Sequence, residues 1–149
     1  MRYLVRILFL NQKMKISRGL RNNNPLNIRR NKTAWRGLSP VQGDKEFFSF
    51  TEAAWGYRAA FVTLRNYRWR HALATLAEWI ARWAPPVEND TQAYIAFVSK
   101  KAGVPADSVV DIDDKSVMCR IVAAMSQMEN GVVAVMRDVE EGWRLSIAP

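Results

Sequence analysis

Three kinds of residue in this chain could act on a ligand: a glutamate at the end of an apolar helix stripe, a run of asparagines, and several tryptophans. Met118, Ile121, Val122 and Met125 recur at helical spacing, and Glu129 continues their stripe. A carboxylate so placed loses hydration and meets the negative end of the helix dipole, and both effects raise its pKa. A glutamate that keeps its proton near neutral pH is suited to protonate a glycosidic oxygen. The competing reading is a solvated side chain at a frayed helix end.

Asn22, Asn23, Asn24 and Asn27 crowd around Pro25. Their amides compete with the backbone for hydrogen bonds, and Pro25 removes a donor and extends Asn24, so an ordered loop is expected rather than a helix. A surface of amide donors and acceptors suits a neutral ligand rich in hydroxyl and acetamide groups. Alternatively, the amides cap neighbouring structure and bind nothing. Asp44, Glu46 and Glu52 could each supply a second carboxylate, and the sequence does not choose among them. Trp35, Trp79 and Trp83 could stack on sugar rings, although Trp79 and Trp83 also sit one helical turn apart beside Ile80, as core residues do.

The elements that must position these groups are mostly helical. Ser49 or Thr51 is expected to cap a helix to about Tyr67, and Thr75-Leu-Ala-Glu78 opens another that stops near Pro85-Pro86. Asp90 starts a helix ending at Gly103; Asp113 or Asp114 starts one reaching Glu129, with Gly131 as its stop. A last helix is expected over about Val132 to Leu145. Between Ser39 and Phe50, turn residues precede Phe47-Phe48-Ser49-Phe50, which alternates like a hairpin arm. The expected architecture is α+β, mainly α, with one small β-hairpin. Residues 1–16 read as an extension outside a single domain over 17–149. Their apolar run is too short to span a bilayer, makes no convincing signal peptide, and leaves Met14 as a possible start.

Composition narrows the partners. The chain has 149 residues, enough for one domain with a real core, and a net charge of +8 that favours an anionic polymer or surface. Arg18, Arg21, Arg29, Arg30, Lys32 and Arg36 gather around the asparagine loop, while Arg65, Arg68, Arg70 and Arg82 read as a solvated basic face. No nucleic-acid-binding signature accompanies them, which makes nucleic acid an unlikely partner. One cysteine, Cys119, and one histidine, His71, leave no internal disulfide, no cysteine or multi-histidine metal site, and no cofactor signature.

Arg18-Gly-Leu-Arg-Asn-Asn-Asn-Pro-Leu-Asn-Ile-Arg29, Trp35-Arg-Gly37, Phe48-Ser-Phe50, Gly56-Tyr-Arg-Ala59, Asn66-Tyr67, Arg82-Trp-Ala-Pro-Pro-Val-Glu-Asn-Asp-Thr91, Tyr94-Ile95 and Glu129-Asn-Gly131 together resemble a phage and prophage virion-protein family. A lysozyme-like activity is suspected for that family. It usually has glycine where this chain has Leu26. The parts also resemble, in a different order, cell-wall glucosaminidases of the lysozyme-like superfamily, with a catalytic glutamate at a helix end and an Asn-rich loop beside a small β element. A circularly permuted lysozyme-like domain is what this second resemblance implies.

On this reading the protein is a phage-type enzyme cleaving peptidoglycan glycan strands, as a muramidase, glucosaminidase or lytic transglycosylase. Glu129 would be the general acid/base, and Asn22, Asn23, Asn24, Asn27, Trp35, Phe48 and Glu46 would contact substrate. Its partners would be peptidoglycan or another anionic cell-wall polymer, and other virion proteins. It would travel in the virion or be prophage-encoded, acting at the bacterial cell wall. The alternative is a non-catalytic virion structural or wall-binding module.

Overall fold

The computed structural model describes residues 16–149; the expected extension over 1–16 lies outside the described residues except for Ile16. The described chain runs α1 (Arg18–Arg21), α2 (Ala53–His71), α3 (Leu76–Trp83), α4 (Thr91–Ala102), α5 (Lys115–Asn130) and α6 (Met136–Ile147). Local chemistry sets most boundaries. Thr75 and Glu78 form a reciprocal capping box, Asp90 and Asp114 accept from Ala93 and Val117 backbone N–H groups, and Gly103 and Gly131 end their helices in the left-handed conformation. The cap of α2 differs from expectation. Glu52 occupies it without a side-chain bond, while Thr51 is spent on the Gly37 carbonyl. α6 also starts later than expected, after a non-helical link over 132–135.

α2 packs along α6, and α4 along α5, around a core that includes Tyr57, Phe61, Leu64, Trp79, Ile80, Val98, Met118, Ile121 and Met125. Phe61 meets Trp143 edge-on, with ring centroids 5.4 Å apart. Trp79 is fully buried and donates its indole N–H to the Leu73 carbonyl, which makes it a core residue. Cys119 is buried as well, and burial pushes its thiol up to about 11, which keeps it protonated. No described helix is long and apolar enough to cross a membrane.

The α+β expectation is overturned. The described residues form no sheet and no hairpin, only isolated antiparallel bridges, Arg29 with Phe47, Leu38 with Phe50, and Thr75 with Val109. The physical reason lies in the amides. Asn24 is fully buried, donates to the carbonyls of Ile28 (3.0 Å) and Phe48 (2.9 Å), and accepts from the Ile28 N–H (2.9 Å). Gln42 donates to the carbonyls of Ser39 and Ser49 and accepts from the Ser49 N–H. Asn23 donates to the carbonyls of Phe50 and Thr51. Side chains therefore share these backbone groups with a few backbone bonds, such as Arg30 N–H to the Glu46 carbonyl and Phe48 N–H to the Ile28 carbonyl, and the ladder never extends beyond single bridges.

This loop, residues 22–52, lies against α2. A Cβ on Gly56 would fall 2.4 Å from the Asn23 carbonyl oxygen and 2.8 Å from Pro25 Cδ, so a glycine is needed for the close approach. Leu26 is fully buried in the main core and is absent from the left-handed positions, which Asn23 (φ 50°) and Asn27 (φ 53°) hold instead. Leu26 therefore costs the loop no backbone strain.

Candidate functional site

Glu129 sits in the last turn of α5, half-buried, just before the left-handed stop at Gly131. Three elements bring partners to it. From the loop, Asn27 Nδ2 donates to Glu129 Oε2 at 3.2 Å. From α4, the Tyr94 hydroxyl donates to Oε1 at 3.4 Å. From the end of α3, the Trp83 side chain stands beside the carboxyl in the same cleft. Burial raises the Glu129 pKa, and the three neutral side chains pull it back only in part. Burial, together with the neighbouring carboxylate, pushes the Tyr94 hydroxyl far above its usual range, so it remains a donor.

The carboxyl opens into a cleft of about 540 Å³, within the size range of small-molecule sites. Trp35, Phe47, Tyr67 and Trp83 give the cleft aromatic surface, and Asn31, Thr63 and Asn89 give it neutral polar groups. The lining thus combines flat apolar faces with hydroxyl and amide groups, and with the guanidinium of Arg29. Glu88, from the segment after Pro85-Pro86, is the other carboxylate among the lining residues. It pairs with Arg29 at 3.4 Å, and the same guanidinium reaches Glu46 at 3.5 Å and lies 5.3 Å from the centre of the Phe47 ring. Among the described residues, no cluster of three or more His, Cys, Asp or Glu side chains is placed to hold a metal ion.

Of the residues expected to bind substrate, the structure brings Asn27 and Trp35 into the cleft with Glu129. The others lie elsewhere. Asn24 is enclosed and its amide is committed to backbone groups. Asn22 donates to Asp44 and accepts from Ser49, and Asn23 braces the Phe50–Thr51 backbone. Phe48 packs with Phe50 and Ala59 in a second small core, leaving Phe47 to face the cleft. Glu46 is exposed, between Arg18 and Arg29. Asp44, the other loop acid, is held well below the usual carboxylate range, chiefly by the Arg18 guanidinium at 2.6 Å. Glu52 lines a separate groove beside Arg137 and Glu141.

Sequence reasoning did not single out Tyr94, Phe47, Tyr67, Glu88 or Asn89 as site residues. The proline pair was a usable signal, since it ends α3 beside Trp83 and leads the chain into Glu88 and Asn89. No local signal pairs Tyr94 with Glu129, because the contact joins two helices 35 residues apart.

Protein P5 of Pseudoalteromonas phage PM2 is 39% identical to this chain over 127 residues, which are 83% of this chain and 78% of the relative. The chain belongs to the family of that phage protein. No protein-family model matches it. The P5 relationship agrees with the phage part of the resemblance read from the sequence. The name Protein P5 states no activity, substrate or partner, and the lysozyme-like part of the resemblance is not shown by it.

Proposed function

We propose that this P5-family protein cleaves the glycan strands of the bacterial cell wall, with Glu129 as general acid. The observation that carries the proposal is the setting of Glu129: a half-buried carboxyl, held by neutral donors alone, opening into a cleft with aromatic walls. Desolvation raises the pKa of such a group, the direction a proton donor needs. Glu129 would give its proton to the glycosidic oxygen as the bond to the anomeric carbon breaks. The carboxylate left behind would then take a proton from the group that attacks that carbon, either water or a hydroxyl of the same strand. Asn27 and Tyr94 would hold the carboxyl in place, while Trp35, Phe47 and Trp83 would offer faces to sugar rings. The chain's positive charge would draw it to an anionic wall polymer, and membership of a phage family supports a place in the virion.

A second reading is a glycan-binding virion module without catalysis. What favours it is that Glu88, the cleft's other carboxylate, is ion-paired with Arg29, whereas most glycosidases use two working carboxylates. The separating experiment is release of reducing ends or anhydro-sugars from purified peptidoglycan. Wild-type protein should release them and Glu129→Gln should lose about 100-fold or more. Wall binding without release by wild type would leave the binding module as the better reading.

A further inference from the structure

Glu129 and Asn27 are 102 residues apart in sequence, and their 3.2 Å bond depends on how the loop is fixed to the end of α5. Asn27 holds its own amide weakly. Its Nδ2 donates to Glu129, while its Oδ1 is buried with no hydrogen-bond partner. The direction of that amide must therefore be set by where the loop backbone is placed.

Within the loop the Asn27 N–H bonds the Asn24 carbonyl at 3.0 Å, and the tie from this backbone to α5 is made by the residue after Glu129. Asn130 Nδ2 donates to the Pro25 carbonyl at 2.8 Å and to the Ser126 carbonyl at 2.8 Å, and its Oδ1 accepts from the Ser17 hydroxyl at 2.7 Å. Both donor hydrogens and the acceptor oxygen of this side chain are thus in use. Apart from the Glu129 bond itself, these are the hydrogen bonds that tie residues 17–31 to α5 among the described residues. The α5 end of the clamp is itself fixed, since Ser126 is buried and its hydroxyl bonds the Tyr57 hydroxyl at 2.9 Å. From the other side, α1 presses on both amides. A Cβ on Gly19 would lie 2.8 Å from Asn130 Oδ1 and 2.8 Å from Asn27 Oδ1.

We infer that Asn130 is a positioning residue for the site: it clamps the Pro25 peptide to the end of α5 and so holds the Asn27 amide against the Glu129 carboxyl. Asn130 does not reach the ligand, and its effect passes through Asn27. The consequence for turnover rests on the glycosidase reading above, whereas the consequence for the ionisation of Glu129 does not.

The test is a carboxyl NMR titration of Glu129 in the full chain, for wild type, Asn27→Ala, Asn130→Ala and the double variant. Tyr94 on α4 faces the carboxyl, and Arg29 and Glu88 line the same cleft; none of these three changes across the set. Loss of the Asn27 donor should raise the Glu129 midpoint. Asn130→Ala should raise it similarly, and the double variant should go no further than either single one, because both remove one interaction. In wall-cleavage assays Asn130→Ala should lower kcat by about tenfold with KM within about twofold, and its alkaline limb should move to higher pH. A folded Asn130→Ala protein with a lower melting temperature but an unmoved Glu129 midpoint would overturn the inference. Should Asn130→Ala not fold, Ser17→Ala removes one bond of the same clamp more gently, and an unmoved midpoint there would overturn it equally. If wild type cleaves no wall glycan, the glycosidase reading fails and the titration still decides the role of Asn130.

Discussion

Asn24→Ala tests whether the asparagine loop is held by its amides. The substitution removes two donations, to the Ile28 and Phe48 carbonyls, and one acceptance, from the Ile28 N–H, at 2.9 to 3.0 Å. Each such bond contributes about 1 kcal/mol net, and a buried group left without a partner costs about 1–3 kcal/mol. Ile28 is only half-buried and can recruit water, but the bond to the Phe48 carbonyl is enclosed. The expected loss is therefore about 3–4 kcal/mol, a large part of a typical domain's total stability of about 5–15 kcal/mol. Guanidinium unfolding with linear extrapolation should read it as a lower midpoint at unchanged slope. Asn24→Asp keeps the shape but turns a carboxylate toward two carbonyl oxygens, so it should lose at least as much and exclude a cavity as the cause. A loss below about 1 kcal/mol in both variants, accompanied by weaker glycan binding, would refute the structural role and return Asn24 to the ligand.

Trp83→Ala should cost about 2 kcal/mol, less than a fully buried tryptophan, since Trp83 is half-buried against the edge of Tyr67; calorimetry measures it, and glycan affinity should fall with it. Glu129 has its pKa raised in the fold, so its stabilising contribution is full below the ordinary glutamate range and is lost as pH rises through the raised value. Glu129→Gln should therefore gain melting temperature relative to wild type on going from acid to alkaline pH, and a constant difference would contradict the desolvated setting. Asp44 has the opposite sign, lowered chiefly by Arg18. Its contribution is present above the ordinary carboxylate range and is lost as pH falls through it toward the lowered value, so Asp44→Asn should flatten the acid side of a melting-temperature profile.

Local rules made much of the helical frame legible. The Thr75–Glu78 box, the Asp90 and Asp114 caps, and the Gly103 and Gly131 stops are each decided within four residues of sequence. The stripe ending at Glu129 was equally readable, because helical periodicity alone places it over Met125 and Val122. The loop was harder for a physical reason. An asparagine amide offers the same donor and acceptor to a backbone peptide as to an acetamide, so Asn24 and Asn27 look alike until the fold encloses one and opens the other. The hairpin expectation failed on the same point, since alternating Phe48 and Phe50 need only be buried on one side, and side chains can replace the partner strand. α1, with four residues, is too short for any periodic signal; the Ser17 hydroxyl caps it, and Gly19 lets it lie close to Asn27 and Asn130.

That replacement has a consequence for crowding. A hairpin at this position would expose an outer strand, with a row of free N–H and C=O groups able to pair with another copy of the chain. Here Asn22, Asn23, Asn24 and Gln42 weave the segment from within, and its pairing is confined to isolated bridges. Molecules packed side by side at high density therefore meet no continuous strand edge along this loop. The loop can be well ordered without being an adhesive edge.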